Sequence, residues 1–323
     1  MLLFSQEVFQ HLRSCASSGR THYTQVINYL ESHIPDEVRG NIESLMTLLV
    51  SGNPWLKDEE AVLRRSLFAT VSRTVADVLR DAEKVAGNQD CPKYVEDLIK
   101  YWNSTRSTLV SFNYDTLVEK YALDIIEPEE HEGLSTSSFY EGPFTNLGSR
   151  TDLFGNGPIV FNRMRIIKLH GSLNWYYSGN EDFSGEPIYA DPSDDRDPET
   201  SPIFERNRQD LAPLIIPPLL DKDSFIKHSL LRLQWKEAFS SMIHAKDIYV
   251  IGYSLPDTDL TAKFMIQTVK KFTKAKWHVL LFHADASIVT QRFKGVLGQC
   301  EFLLVEEGKS SAELLSRYVT LRK

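Results

Sequence analysis

The chain has 323 residues, of which 42% are hydrophobic and 25% charged, so it can bury the core of one large α/β domain or of two smaller ones. Its formal net charge of -8 argues against a broad nucleic-acid-binding face, which requires clustered Lys and Arg, and we expect no direct nucleic-acid partner. No apolar run has the length of a membrane-spanning helix, and the first residues lack the basic leader of a signal peptide. We therefore expect a cytoplasmic protein without a membrane partner.

The three cysteines are far apart and contain no Cys-x-x-Cys pair: Cys15, Cys91 and Cys300. This spacing excludes a zinc ribbon and argues against a disulfide framework. A reducing compartment fits such cysteine usage.

Residues 1–106 are predicted to form a helical subdomain. One helical face is predicted by apolar residues at i, i+3, i+4 and i+7, namely Ile42, Leu45, Met46 and Leu49. A second apolar stripe lies between Asp58 and Val85 and consists of Val62, Leu63, Leu67, Val71, Val75 and Leu79. A further helix is predicted to begin at about Pro92, since proline suits the first helical turn.

The stretch STLVSFNYDTLVEKYAL, from Ser107 to Leu123, predicts a buried strand followed by a helix. Thr116 and Glu119 have the spacing of a capping box for that helix. Asn113 and Asp115 then lie on the strand-to-helix turn, where they are candidates for ligand binding. The alternative is that both residues simply turn the chain and cap the helix.

In RIIKLHGSLNW, from Arg165 to Trp175, an apolar run interrupted by Lys168 predicts a buried strand of a parallel sheet. The strand is predicted to end at His170 and Gly171, because glycine permits a sharp turn and a close approach of a ligand. Ligands of open α/β sheets bind outside the carboxyl ends of the strands. The alternative is a histidine that closes the strand and hydrogen-bonds a neighbour.

The stretch DIYVIGYSLPDTDL predicts a strand that ends at Gly252. Pro256 and Asp257 are expected to open the next helix, which is predicted to run from Asp259 to about Phe272. Gly252 and Ser254 offer backbone N–H groups and a hydroxyl, which suit phosphate or ribose oxygens. The strand WHVLLFHAD brings His283 and Asp285 to another strand end.

The remaining segments are predicted to be peripheral. Residues 124–164 are expected to hold loops and short strands, including PIVFN, and residues 176–225 form a loop excursion. The acidic run 191–199 lacks regular ligand spacing and is expected to be a solvated loop. The segment from Pro213 to Leu220 is predicted to be extended or an edge strand, and a helix from Ser310 to Tyr318 closes the chain.

Strands and helices alternate from Ser107 onward, which predicts an α/β fold with a doubly wound, parallel sheet over residues 107–323. The carboxyl ends of parallel strands share one sheet edge. The candidate side chains are therefore expected to meet there.

Together, FNYDTLVE, KLHGSLNW and VIGYSLPDTD resemble the sirtuin-like domains of bacterial antiphage defence proteins that destroy NAD, over about Asn41 to the C-terminus. The resemblance implies a Rossmann-like core. It implies that Asn113 and His170 are catalytic. The residues implied to bind NAD are Asp115, Gly171, Gly252, Ser254 and, more loosely matched, Asp285.

The sequence departs from the family at three points. It has no zinc ribbon, so no zinc is expected and a protein deacylase is disfavoured. Phe112 stands where sirtuins have Gln. The family's first strand and its Gly-Ala-Gly loop, which cradles the pyrophosphate, find no match. Two explanations stay open: this sequence begins after them, or this member has lost them.

The resemblance implies an NAD glycohydrolase that releases nicotinamide and ADP-ribose, with NAD as substrate and no other cofactor. It further implies an antiphage effector that depletes NAD once a defence partner or homo-oligomerisation activates it. The alternative is a catalytically impaired nucleotide-binding or scaffold module of a defence complex.

Overall fold

The computed structural model describes residues 2–51, 55–126, 135–146, 163–178, 186–191, 211–216, 228–257, 259–281, 286–298 and 300–304. These residues form an α/β protein, as predicted, with helices first and strands from residue 108 onward. The PIVFN segment, Asp285 and the predicted final helix lie outside the described residues.

The N-terminal region is helical, as predicted. Its helices are α1 (Leu2–Ser17), α2 (Thr21–His33), α3 (Asp36–Arg39), α4 (Ile42–Val50), α5 (Asp58–Gly87) and α6 (Lys93–Ser104). Asn41 begins α4 by accepting hydrogen bonds from the backbone N–H groups of Glu43 and Ser44. The predicted face of α4 is confirmed, since its four apolar residues are buried.

The predicted stripe of α5 is confirmed only in its middle. Leu67, Val71 and Val75 are buried, whereas Val62 and Leu63 are exposed. Apolar spacing identified the helix correctly, but the apolar side chains of its first turns are not buried.

Two pieces of sheet consist of parallel strands only, and a further parallel pair lies within a mixed sheet. In one, β1 (Thr108–Ser111) pairs with β3 (Arg165–Lys168). In the other, β8 (Lys276–Leu281) lies between β7 (Asp247–Ile251) and β9 (Glu301–Leu304). Parallel pairing is therefore confirmed, but in the described part of the chain no ladder joins the two pieces. They share a hydrophobic cluster that contains Ile167, Leu169 and Val279.

A mixed sheet occupies the middle of the chain, with strand order β2 (Phe144–Asn146), β5 (Ile188–Ala190), β4 (Gly171–Tyr177) and β6 (Ala212–Ile215). The predicted edge strand is confirmed as β6. Two expectations are corrected: β4 begins at Gly171 without an intervening loop, and β5 is a buried strand within the predicted surface excursion. Asp191, which follows β5, is buried rather than solvated.

The remaining helices are α7 (Leu117–Ile125), α8 (Ser229–His244), α9 (Leu260–Phe272) and α10 (Ala286–Leu297). The core of the N-terminal helices is continuous with the mixed sheet, because α5 contributes to the cluster that also holds Trp175 and Leu214. The division of the chain at residue 106 stays a prediction.

A buried ion pair joins β3 to α7. The Lys168 ammonium lies 3.1 Å from the Glu119 carboxylate, and the two side chains are 2% and 1% exposed. Lys168 also donates to the backbone carbonyls of Asn113 and Asp115, and Tyr140 donates to Glu119. Burial raises the pKa of Glu119, an effect that the neighbouring Lys168 opposes. The pair therefore depends on both partners being present.

Replacing Lys168 with Met should lower the free energy of unfolding by roughly 3–5 kcal/mol, because Glu119 is left buried without its cation. Adding Glu119→Met should restore part of that loss, since it removes the uncompensated group. Urea denaturation measures both. Lys100→Met, which breaks an exposed helical pair with Glu96, is the control and should have almost no effect. Equal losses of unfolding free energy in Lys168→Met and Lys100→Met would contradict a structural role for the buried pair.

Candidate functional site

The turns that follow β1 and β3 lie side by side. Ser111 is paired with Lys168 in the ladder, and Leu169 N–H donates to the Ser111 carbonyl over 3.0 Å. Asn113 and His170 each lie two residues beyond these paired strand ends. The structure thus places the two predicted catalytic residues at neighbouring strand ends.

The turn from Asn113 to Asp115 is fixed through its backbone. Asn113 N–H donates to Ser111 Oγ over 3.1 Å, while the Asn113 side chain is exposed. Asp115 Oδ1 accepts from the Leu117 N–H over 3.3 Å, so this carboxylate caps α7. The capping alternative considered for Asp115 is therefore what its described contact shows.

The predicted capping box of Thr116 and Glu119 is wrong. The Thr116 hydroxyl donates to Glu83 Oε1 over 2.6 Å, and Glu119 faces Lys168 instead of the helix start. Thr116 thus contacts a buried carboxylate of α5, and Glu119 contacts a buried ammonium of β3. Sequence spacing alone cannot reveal such competing partners.

Gly171 is required by a close approach of the protein's own backbone. Its φ is +83°, and a Cβ at this position would lie 2.1 Å from the carbonyl oxygen of Leu214 in β6. The backbone of His170 is also fixed from this side, because its carbonyl accepts a hydrogen bond from the Ile216 N–H over 2.9 Å. The turn is therefore clamped between β1 and β6.

The imidazole of His170 is buried, with only 5% of the residue exposed. The Phe112 ring meets it edge-on at 5.2 Å between centroids, and the Tyr114 and Trp235 rings lie at 6.4 and 6.3 Å. Its Nε2 is 3.5 Å from Oδ2 of Asp259. An acid–base pair thus lies inside a mostly aromatic surround.

Asp259 was not among the predicted site residues, although the helix was predicted to run from it. Asp259 is the N-cap of α9, and its Oδ1 accepts from the Ala262 N–H over 3.3 Å. Asp257 is instead exposed and pairs with Lys263 and Arg292. The signal was available, because in PDTDL only the second aspartate directly precedes the helix.

The turn after β7 is more open. Gly252 has φ +68°, a Cβ added to it would meet nothing within 4 Å, and Ser254 is exposed. Leu255 is buried at φ +49°, a conformation that non-glycine residues rarely adopt. The Ser254 carbonyl accepts from Arg292 over 3.4 Å. A ligand could approach Gly252 without meeting protein atoms.

An open groove of about 450 Å³ lies beside this turn. It is lined by Asp257, Lys263, Gln267, Gln291, Arg292, Gly295 and Val296. Its two cationic side chains both contact Asp257. Their charge is thus partly neutralised within the groove.

The turn that holds Asn113 and Asp115 lies beside the one that holds His170 and Gly171, since the Phe112 and Tyr114 rings contact His170. Gly252 and Ser254 follow the neighbouring piece of sheet, whose Tyr253 ring stacks on Phe112 at 4.2 Å. Asp285 and His283 lie outside the described residues.

Within the described ranges, no cluster of His, Cys, Asp and Glu has the grouping of a metal site. No helix in the same ranges combines the length and apolar character needed to cross a bilayer. No family model matches the sequence, and none of the curated proteins compared with it matches significantly. The family resemblance stated above therefore remains a prediction.

Gly171→Ala should lower the free energy of unfolding by more than about 3 kcal/mol, because the added Cβ would collide with the Leu214 backbone. Gly252→Ala should cost only about 1–2 kcal/mol, the strain of a positive φ in open space. Urea denaturation of the two variants gives the comparison. A larger loss at Gly252 than at Gly171 would contradict the clamped turn.

Proposed function

We propose that this protein is an NAD glycohydrolase of the sirtuin-like class, with a doubly wound, Rossmann-like core. The observation that carries the proposal is the placement of Asn113 and His170 at the carboxyl ends of two adjacent, parallel strands. Ligands of open α/β sheets bind at such ends. The three quoted motifs supply the family, since all three occur in the family's order.

Hydrolysis of the nicotinamide–ribose bond develops positive charge on the ribose. In this reaction His170 acts as general base, directly on water or through a ribose hydroxyl, a contribution of typically about 100- to 10,000-fold. Asn113, whose side chain is exposed at the turn, orients the ribose and the attacking water. Gly252 and Ser254 contact the nucleotide from the neighbouring turn.

Asp115 binds the carboxamide of nicotinamide in this proposal, as the resemblance implies. Its Oδ1 accepts from the Leu117 N–H at the start of α7, and its carbonyl accepts from Lys168. These two contacts fix the position of the turn that also carries Asn113. NAD is the substrate, and no zinc or other cofactor enters the proposal.

The biological setting follows the same resemblance. Destroying NAD harms the cell that does it, so the activity has to be held back until it is needed. A homo-oligomer or a defence partner protein supplies that control. The protein acts as the NAD-depleting effector of an antiphage system in the cytoplasm.

Purified protein incubated with NAD should release nicotinamide. His170→Ala and Asn113→Ala should each lower kcat/KM by about 100-fold or more, because general-base help or substrate positioning is lost. His244→Ala, at the exposed end of α8, is the matched control and should leave turnover unchanged. Undiminished turnover in both site variants would refute the assignment.

The burial of His170 favours a second candidate, a nucleotide-binding or scaffold module of a defence complex. The contacts of the imidazole with Phe112, Tyr114 and Trp235 are those of a packed core residue and require no catalytic role. A nucleotide-binding module would show a higher melting temperature with NAD and no nicotinamide release, since any ligand that binds only the native state stabilises it. A pure scaffold would show neither.

A further inference from the structure

We infer that Asp259 is the positioning residue for His170, and that it makes Nδ1 the ring nitrogen that accepts the proton. This inference rests on the proposed function for its catalytic consequence. Its geometric basis is independent of that function, since it is a contact between two buried side chains from different parts of the chain. The Asp259 side chain is 1% exposed and that of His170 is 6% exposed.

Both oxygens of Asp259 are engaged, so the carboxylate is held in one orientation. Oδ1 accepts from Ala262 N–H over 3.3 Å at the start of α9. Oδ2 accepts from the Tyr253 hydroxyl over 2.8 Å and lies 3.5 Å from His170 Nε2. A helix N-terminus favours a negative charge, so α9 stabilises the ionised form of this buried acid.

The position of the carboxylate selects the tautomer of the imidazole. A carboxylate accepts hydrogen bonds and cannot donate one when ionised, so the ring nitrogen facing it is the one that carries hydrogen. That nitrogen is Nε2. The ring then presents Nδ1 as its basic atom, and Asp259 stabilises the imidazolium that forms when Nδ1 takes a proton.

Other groups that face the imidazole within the described part of the chain are neutral. Phe112 and Tyr114 approach it from the end of β1, and Trp235 from α8. Burial raises the pKa of Tyr114, and burial together with Asp259 raises that of Tyr253, so neither phenol ionises near neutral pH. Among the described contacts of the ring, Asp259 is accordingly the charged group that responds to protonation of His170.

A water oxygen bonds to C1′ of the ribose as the bond from C1′ to nicotinamide breaks. The electron pair of the broken bond stays on the ring nitrogen of nicotinamide, which leaves neutral. The proton of the water passes to Nδ1 of His170 and later to solvent.

Asp259→Asn keeps the shape and the capping oxygen but removes the charge. We expect kcat for NAD hydrolysis to fall by about 100-fold with KM little changed, because an amide cannot stabilise the imidazolium. The acid limb of the pH–rate profile should move to lower pH for the same reason. Tyr253→Phe keeps the carboxylate and should lower kcat by less than Asp259→Asn does.

Nitrogen NMR of the labelled His170 ring measures the same contact without requiring activity. In the wild type the neutral ring should carry its proton on Nε2, and in Asp259→Asn its titration midpoint should move to lower pH. Asp247→Asn is the matched control, because Asp247 also pairs with a histidine, His278 at 2.9 Å, at the amino end of β7. It should alter neither kcat nor the His170 signals.

Asp259→Ser is the second variant, because serine also caps helices and so preserves α9 if the amide does not. An unchanged midpoint in a folded Asp259 variant, or a wild-type ring protonated on Nδ1, would overturn the inference. Absence of nicotinamide release by the wild type would overturn the proposed function alone, and the NMR result would still decide the role of Asp259.

Discussion

The buried ammonium of Lys168 is the constraint on which the arrangement of the site depends. A charge that is taken out of water is tolerated only when its partners replace the lost hydration. Here the partners are Glu119 from α7 and the carbonyls of Asn113 and Asp115. One side chain of β3 therefore sets both the position of α7 and the path of the turn that precedes α7. The residue that interrupts the apolar run of the strand is the one that positions its surroundings.

The two pieces of parallel sheet meet through side chains in the described residues, not through a backbone ladder. Phe112, at the end of β1, stacks on Tyr253, which follows β7, with ring planes only 5° apart. Beside this stack, His170 faces Asp259. Aromatic stacking buries large apolar areas without fixing strand register. The contact between imidazole and carboxylate then adds a polar restraint between the same two pieces.

Much of the fold could be predicted from sequence because it follows local periodicity. The face of α4, the strands at Thr108 and Arg165 and the parallel pairing all follow apolar spacing and element order. Other features depend on contacts between distant residues. Thr116 turns to Glu83 because the two meet in space, 33 positions apart in the chain. Gly171 is clamped by Leu214, and no local pattern shows that approach.

The candidate site, too, could be predicted from the sequence only in part. His170 and Asn113 could be predicted to lie together, because the carboxyl ends of parallel strands share an edge. Asp259 could not be assigned to His170, because several strands and helices separate the two residues along the chain. Its local role as a helix cap was readable from PDTDL, and its second role depends on where α9 begins in space. From the sequence, only the helix-capping role of Asp259 can therefore be predicted, and its contact with His170 cannot.

Two buried acid–base pairs on either side of this strand end differ in one chemical property. The ordinary pKa of a lysine ammonium lies well above the physiological range, whereas an imidazole exchanges its proton near neutrality. The pair of Lys168 and Glu119 therefore gives a constant attraction, which suits the holding of a turn. The pair of His170 and Asp259 changes strength with each proton gained or lost. Lys168 and His170 are two positions apart, so one short segment of chain supplies both the charge that holds the turn and the group that responds to protons.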